Sequence, residues 1–215
     1  MQIFSKLFIT SSLCFAMSLQ MQTINAQNKD VKMTNPLLQK STLQYQAPDF
    51  SLIKDEHFKP AFEYGLKVHD QEVETIANNT AKPTFQNTVL ALEISGVDLN
   101  RAAGIFYNLT GSNTNPALQA IEAEYAPVFS GHNDKIYLNS KLYNRIKAID
   151  LKKLKGEDKK LTEYYLQQFE LAGANLSEAD KEKMKKINEE LASLSTLYGN
   201  KLLVARKNGA ILFDN

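Results

Sequence analysis

The chain of 215 residues is 43% hydrophobic and 23% charged, with nine glycines and six prolines, a globular composition with room for one domain or two small ones. A formal net charge of +1, without a long lysine block, gives no electrostatic reason to expect nucleic acid or an anionic membrane as a partner.

The opening stretch MQIFSKLFITSSLCFAMSLQMQTINAQ has one early cation, Lys6, an apolar run from Leu7 to Leu19 and a small residue, Ala26, after a polar stretch. The run is too short to span a bilayer, so 1–26 reads as a secretory signal peptide and the chain as exported, periplasmic or secreted. The only cysteine, Cys14, lies inside this segment, so cleavage near Ala26 leaves neither disulfides nor cysteine catalysis. Leu13 directly before it fits a lipoprotein cysteine badly. Residues 27–44 are polar and read as a flexible tether.

From Asp55 onward apolar residues recur at alternating intervals of three and four, the mark of helices with one buried face. Phe58, Phe62, Gly65, His69, Val73 and Ile76 form one stripe. Phe85, Val89, Leu92, Gly96, Leu99, Ala103 and Phe106 form a second, longer one, with Thr84 as N-cap. A third helix starts at Asn115 as cap with Pro116 in its first turn and uses Ala117, Ile121, Tyr125 and Val128. Pro127 should kink or end it, because proline removes a backbone donor and clashes with the preceding turn. Asn139 caps a short helix carrying Leu142, Ile146 and Ile149.

After the solvated stretch LKKLKGEDKK, Leu161, Tyr165, Phe169 and Ala172 lead to Gly173. GANLSEAD then reads as a helix connection, with Gly173 in the left-handed C-terminal position and Ser177 with Asp180 as a capping pair. The last helix sets Met184, Ile187, Leu191, Leu194 and Tyr198 in register, and so short a link predicts that it packs antiparallel to the helix before it. GAILFDN at 209–215 looks like the start of a strand with no partner strand earlier in the chain. The expected fold class is an all-α lobe of long antiparallel helix hairpins that stops at the start of a strand.

No local catalytic motif is present. The three histidines are His57, His69 and His132, without the HExxH pair that brings two imidazoles one helical turn apart onto zinc. His57 and His69 differ by about 120° around even a straight helix, so they form no local pair. His69 with Glu72 reads as a partly buried histidine beside a solvated carboxylate, and His132 in SGHND as a residue that follows a helix end, in a C-terminal interaction or simply exposed. There is no GxSxG and no evident Ser, His and Asp grouping, although sequence alone leaves a spatial triad open. The carboxylates of INEELASL read as a polar face. Of Tyr164 and Tyr165, which suit a peptide groove, at least one reads as packing. The Asn-x-Ser/Thr triplets at Asn78, Asn108 and Asn175 read as incidental in so asparagine-rich a chain. Catalytic and metal-ligating residues are therefore assigned as none, and substrate-binding residues stay unassigned.

IKDEHFKPAFEYGL, the block KPTFQNTVLALEISGVDLNRAAGIFYNLTGSNTNPALQAIEAEYAPVFSGHNDKIYLNSKLYNRI, and GANLSEADKEKMKKINEELASLSTLYGNKLL resemble the N-terminal region of thimet-oligopeptidase-type zinc metallopeptidases, in particular their peptidyl-dipeptidase and oligopeptidase A branches. The resemblance runs from about Asn35 to Leu203. It implies a helical lobe over 45–203 that roofs a channel for short peptides, with 204–215 as the start of the next element. It further implies that zinc, its HExxH and the catalytic lobe belong to an intact parent enzyme. None of those motifs occurs in this chain, which is expected to bind no zinc and to be inactive alone. Its expected partners are short peptides and the absent C-terminal lobe, with no nucleic acid and no membrane after signal cleavage. The alternative is a free-standing exported helical module that binds peptides or another protein without catalysis. An apolar face left exposed where the absent lobe docks is expected as well.

Overall fold

A computed structural model describes residues 30–209, and every regular element among them is helical. The expected signal peptide, 1–26, and the strand after Gly209 lie outside the described residues. The chain divides into two compact units, Met1–Tyr64 and Gly65–Asn215, with the boundary inside helix α1 (Phe58–Ala77).

In the first unit, Asn35 caps the 3-10 turn Pro36–Leu38. Its side chain accepts from Leu37 N at 3.0 Å and donates to the His57 carbonyl at 2.7 Å. Leu37 and Leu38 are buried, as are Phe58 and Phe62. Within 27–44, expected as a tether, two adjacent leucines thus leave water, and Asn35, between Thr34 and Pro36, satisfies the backbone that goes with them.

In the second unit, Thr84 opens a π-helical turn, Phe85–Leu90, by accepting from Asn87 N at 3.2 Å while Asn87 accepts from Thr84 N at 2.8 Å. The turn runs into α2 (Ala91–Glu93), then breaks over 94–96 before α3 (Val97–Ser112). The single long helix expected from Phe85 to Phe106 is thus two pieces. Gly96 sits at φ +68°, a left-handed position that glycine takes without steric cost. The break resets the helical phase, so Ala102 rather than Ala103 is buried.

Asn115 accepts from Leu118 N at 2.9 Å and starts α4 (Pro116–Tyr137). Pro127 does not end this helix. It is anchored on both sides, by Leu118, Ile121 and Tyr125 before the proline and by His132, Asp134 and Ile136 after it, all buried. Asn139 caps α5 (Ser140–Lys147) through Leu142 N at 3.0 Å. α6 (Gly156–Ala172) ends at Gly173, φ +101°, and Ser177 caps α7 (Glu178–Asn208) through Asp180 N at 3.2 Å. α7 continues through 204–208, a stretch expected to start another element.

The core of this unit gathers Val73 and Ile76 of α1, Phe85, Val89 and Leu92, Ile136, Leu142, Ile146 and Phe169. Arg145 is buried and closes it at one edge. Its guanidinium donates to the Asn79 carbonyl, to the Ala81 carbonyl at 3.1 Å, and to Asn87 Oδ1 and Thr88 Oγ1, each at 3.2 Å. One cation thereby holds the α1 exit loop against the π-turn.

The expected α6–α7 hairpin is not the main packing. α7 lies along α4, antiparallel: Asn188 donates to Asp134 Oδ1 at 2.7 Å, Lys181 Nζ donates to Ser140 Oγ, and farther along Thr196 and Gly199 share a cleft with Glu122. The reason is in the side chains. Lys181, Asn188, Ala192 and Thr196 share one face and are buried or half-buried, whereas Ile187, Leu191, Leu194 and Tyr198 are 54–69% exposed. Short residues four apart let the α4 backbone approach, and the apolar stripe is turned outward.

Replacing Arg145 by Ala removes the donor to the Asn79 and Ala81 carbonyls and one partner each of Asn87 Oδ1 and Thr88 Oγ1, a loss of about 2–4 kcal/mol. Urea unfolding should show it as a lower midpoint at unchanged slope.

Candidate functional site

Three local features place the polar groups. α1 puts His69 and Asp70 at adjacent positions, the unbroken α4 puts His132 and Lys135 one turn apart, and the break before α3 puts Ser95 and Gly96 beside α1. His69 and His132, 63 residues apart in sequence, meet with ring centroids 4.9 Å apart. His132 Nε2 lies 2.9 Å from His69 Nδ1, and His132 Nδ1 lies 2.8 Å from Asp70 Oδ1. On the far side His69 Nε2 is 3.0 Å from Ser95 Oγ. Lys135 Nζ donates to the other oxygen of Asp70 at 2.7 Å.

Both rings are buried, with Ser95. Burial pushes the His69 imidazole below its ordinary 6.5; a charge on His132 adds to this, and Glu72 and Asp70 oppose it. His132 is also pushed down by burial, against the charge and hydrogen bond of Asp70, with Lys135 adding to the fall. Desolvation wins because the rings give up water for a single carboxylate that Lys135 already shares.

Gly96 completes the arrangement. Its N–H donates to Glu72 Oε2 at 2.8 Å, and a Cβ on it would lie 2.7 Å from His69 Nδ1. No side chain larger than hydrogen fits between this turn and the imidazole.

These positions revise the sequence reading. His132 lies buried inside α4 rather than exposed after a helix end, because Pro127 leaves the helix intact. His69 is buried as expected, but its partners are Ser95 and His132, while Glu72 is spent on Gly96 N. His57 Nδ1 accepts from Lys54 N at 3.1 Å, a local turn contact. Tyr165 is packing: it is buried, donates to Glu93 Oε2 at 2.6 Å, and has its phenol pushed well up by burial and by that carboxylate. Tyr164 is exposed, as are Glu189 and Glu190. Asn108 and Asn175 are exposed, and Asn78 accepts from Lys141 Nζ at 2.9 Å.

The Ser95, His69, His132 and Asp70 string is a spatial grouping of the triad's residue types, but it is not a nucleophilic site. Ser95 is buried, and its Oγ also lies 2.7 Å from the Leu92 carbonyl, so no face of the hydroxyl is open to a substrate carbonyl. Zinc, implied by the resemblance, does not fit either. Two imidazole nitrogens sharing a tetrahedral zinc stand about 3.3 Å apart. Here they face each other at 2.9 Å, and among the described residues no group of three or more His, Cys, Asp or Glu is placed to hold a metal.

A second feature is a cleft of about 460 Å³ between the end of α3, the start of α4 and the C-terminal half of α7, lined by Tyr107, Glu122, Thr196, Gly199 and Arg206 among others. Burial raises the carboxyl of Glu122, and burial with Glu122 raises the Tyr107 phenol.

No family model matches the chain. Individual proteins do. Dipeptidyl carboxypeptidase of Salmonella typhimurium is 40% identical over 186 residues, covering 85% of this chain and 27% of the relative. The Escherichia coli protein of the same name is 38% identical over 185 residues, 84% of this chain and 27% of the relative. Oligopeptidase A of Haemophilus influenzae is 29% identical over 189 residues, again 27% of the relative. The chain is homologous to the N-terminal quarter of these peptidases. The chain spans about a quarter of the length of the relatives it matches.

Within the lobe, the residues that sequence reasoning missed are Ser95, Gly96, Asp70, Lys135 and the His69–His132 contact. No local spacing announces a pair 63 positions apart; the one usable signal was Gly96, a glycine placed in an apolar register position where it would otherwise weaken a helix.

Gly96→Ala strains φ and drives a methyl into the His69 ring. The expected loss is about 2–3 kcal/mol, read as a lower thermal midpoint, with larger amide shift changes at His69 and His132 than at Phe169.

Proposed function

We propose that residues 45–203 are the N-terminal, channel-roofing lobe of an exported zinc metallopeptidase that hydrolyses short peptides and releases dipeptides from their C-termini. The zinc and the catalytic half then lie in a part of the parent outside this chain. What supports the specificity is the match to two dipeptidyl carboxypeptidases at 40% and 38% identity. Support for export is the charge, apolar run and small residue of 1–26.

The single structural observation that carries the proposal is the orientation of α7. A helix whose polar and small residues pack on α4 while Ile187, Leu191, Leu194 and Tyr198 stay 54–69% exposed is shaped to be covered on its outer side. Those four recur at intervals of four, three and four, the seam of a helix that receives another helix. In the proposed reading the cover is the catalytic lobe, and the peptide channel runs between the two.

The coding sequence tests this directly. An in-frame HExxH several hundred codons beyond Asn215 supports the enzyme; a stop codon with no catalytic half nearby would sink it and favour the free-standing peptide-binding module. Purified 27–215 chain should bind no stoichiometric zinc and release no dipeptides, and metal-dependent release by this segment alone would refute the assignment of catalysis elsewhere.

The exposed seam has its own readout. A hydrophobic dye should bind the isolated chain, and Leu191→Lys with Leu194→Lys should abolish most of that binding while changing stability by only about 0.5 kcal/mol each, as expected for exposed positions. Retained dye binding in the double variant would place the apolar surface elsewhere.

A further inference from the structure

The buried string runs between two groups that carry no hydrogen, the Asp70 carboxylate and the Leu92 carbonyl. Its contacts are Asp70 Oδ1 to His132 Nδ1 at 2.8 Å, His132 Nε2 to His69 Nδ1 at 2.9 Å, His69 Nε2 to Ser95 Oγ at 3.0 Å, and Ser95 Oγ to Leu92 O at 2.7 Å. Four contacts need four hydrogens. With both imidazoles neutral there are three, one on each ring and one on the hydroxyl.

We propose that His69 and His132 together form a one-proton binding site: the added proton completes the string at His69 Nε2, while the hydrogen between His69 Nδ1 and His132 Nε2 is kept and the charge is shared by the two rings. Filling it reverses the Ser95 hydroxyl from His69 to the Leu92 carbonyl. In the empty state Ser95 donates to His69 Nε2, His69 Nδ1–H donates to His132 Nε2, and His132 Nδ1–H donates to Asp70. The Leu92 carbonyl keeps the Ser95 backbone N–H at 3.1 Å. Uptake of one proton from solvent breaks no covalent bond. It leaves His69 Nε2–H donating to Ser95 Oγ, frees the hydroxyl hydrogen for Leu92, and spreads one positive charge over two rings tied to Asp70. A second proton would set two N–H groups head to head at 2.9 Å, so it cannot enter until the rings part. The two imidazoles must therefore titrate as a pair.

The surroundings set the strength of the site. α1 contributes Asp70, bonded to the pair, and Glu72, held by Gly96 N–H. α4 contributes Lys135, which neutralises one oxygen of Asp70. The break over 94–96 brings no ionisable group, and on α3 Asp98 and Arg101 pair with each other at 3.0 Å. Burial holds both imidazoles below 6.5, so the site fills only on acidification. The unfolded chain takes up a proton on each ring near 6.5 whereas the folded pair holds fewer. The stability linked to the pair is therefore fully present above that pH and is lost as the pH falls through it toward the folded midpoint.

The test is the nitrogen NMR spectrum of the imidazoles in the full 215-residue chain between pH 8 and 4.5. The expected result is one common midpoint below 6.5 for His69 and His132, each ring changing by about half the amplitude of a free imidazole, with Ser95 and Gly96 amides moving at the same midpoint. Asp70→Asn keeps an acceptor for His132 but removes its charge. It should weaken proton uptake by about tenfold or more, while Ser95→Ala should abolish the coupled shift at Gly96. Two separate full-amplitude titrations in the folded chain, or no uptake by either ring before unfolding, would overturn the one-proton site. A variant that fails to fold leaves the decision to the titration of the unaltered chain.

Discussion

The continuity of α4 through Pro127 is the constraint on which the second unit depends. An interior proline costs a helix about 3 kcal/mol, and nothing in the local sequence offsets it. The offset is tertiary: the turns before it are held by Leu118, Ile121 and Tyr125, and those after it by His132, Asp134 and Ile136. If the helix stopped at the proline, His132 would not reach His69, Lys135 would not reach Asp70, and Asp134 would not receive Asn188. One unbroken strut thus fixes both its contacts to α1 and its contacts to α7.

That strut also explains why α7 is inside out. Lys181 meets Ser140 at the start of α5 and Asn188 meets Asp134 near the end of α4, and Ala192 and Thr196 keep the α4 and α7 backbones close farther along. Buried Asp134 has its carboxyl pushed up by burial, and its hydrogen bond from Asn188 and the charge of Lys185 pull it back. Polar contacts of this kind specify direction and register more than they add net stability. The apolar residues, free of that duty, are left on an outer surface.

Legibility followed range. Caps are local chemistry, so Thr84, Asn115, Asn139 and Ser177 were readable from two or three neighbours, and Gly173 from its place after a periodic run. The α1 stripe was readable because that helix buries a single face. α4 was not, because it is covered from more than one side: His132 and Asp134, about 200° apart around a helix, are both buried, and a helix with two buried faces shows no single period. The break over 94–96 hid for a different reason, since Leu92, Gly96 and Leu99 keep a helical interval across it. The pairing of α7 with α4 instead of α6 was beyond reach because a short connection predicts neighbours only when the facing stripes match, and here the matching residues were small and polar. The homology to the N-terminal quarter of the peptidases was legible, because a long block of sequence carries it and no single motif does.

The polar string and the apolar seam divide the work of the lobe by depth. Burial makes a hydrogen bond directional and an unmet one expensive, so the string between Asp70 and Leu92 fixes how α1, α4 and the break at Gly96 meet. It can do so only with the right number of hydrogens. Exposed leucines fix nothing by themselves; they gain their roughly 25 cal/mol per Å² only when a partner excludes water. A helical unit built this way holds its own shape through buried polar geometry and leaves its nonspecific attraction at the surface. It follows that damage to the string should alter the fold itself, whereas damage to the exposed stripe should leave the fold intact.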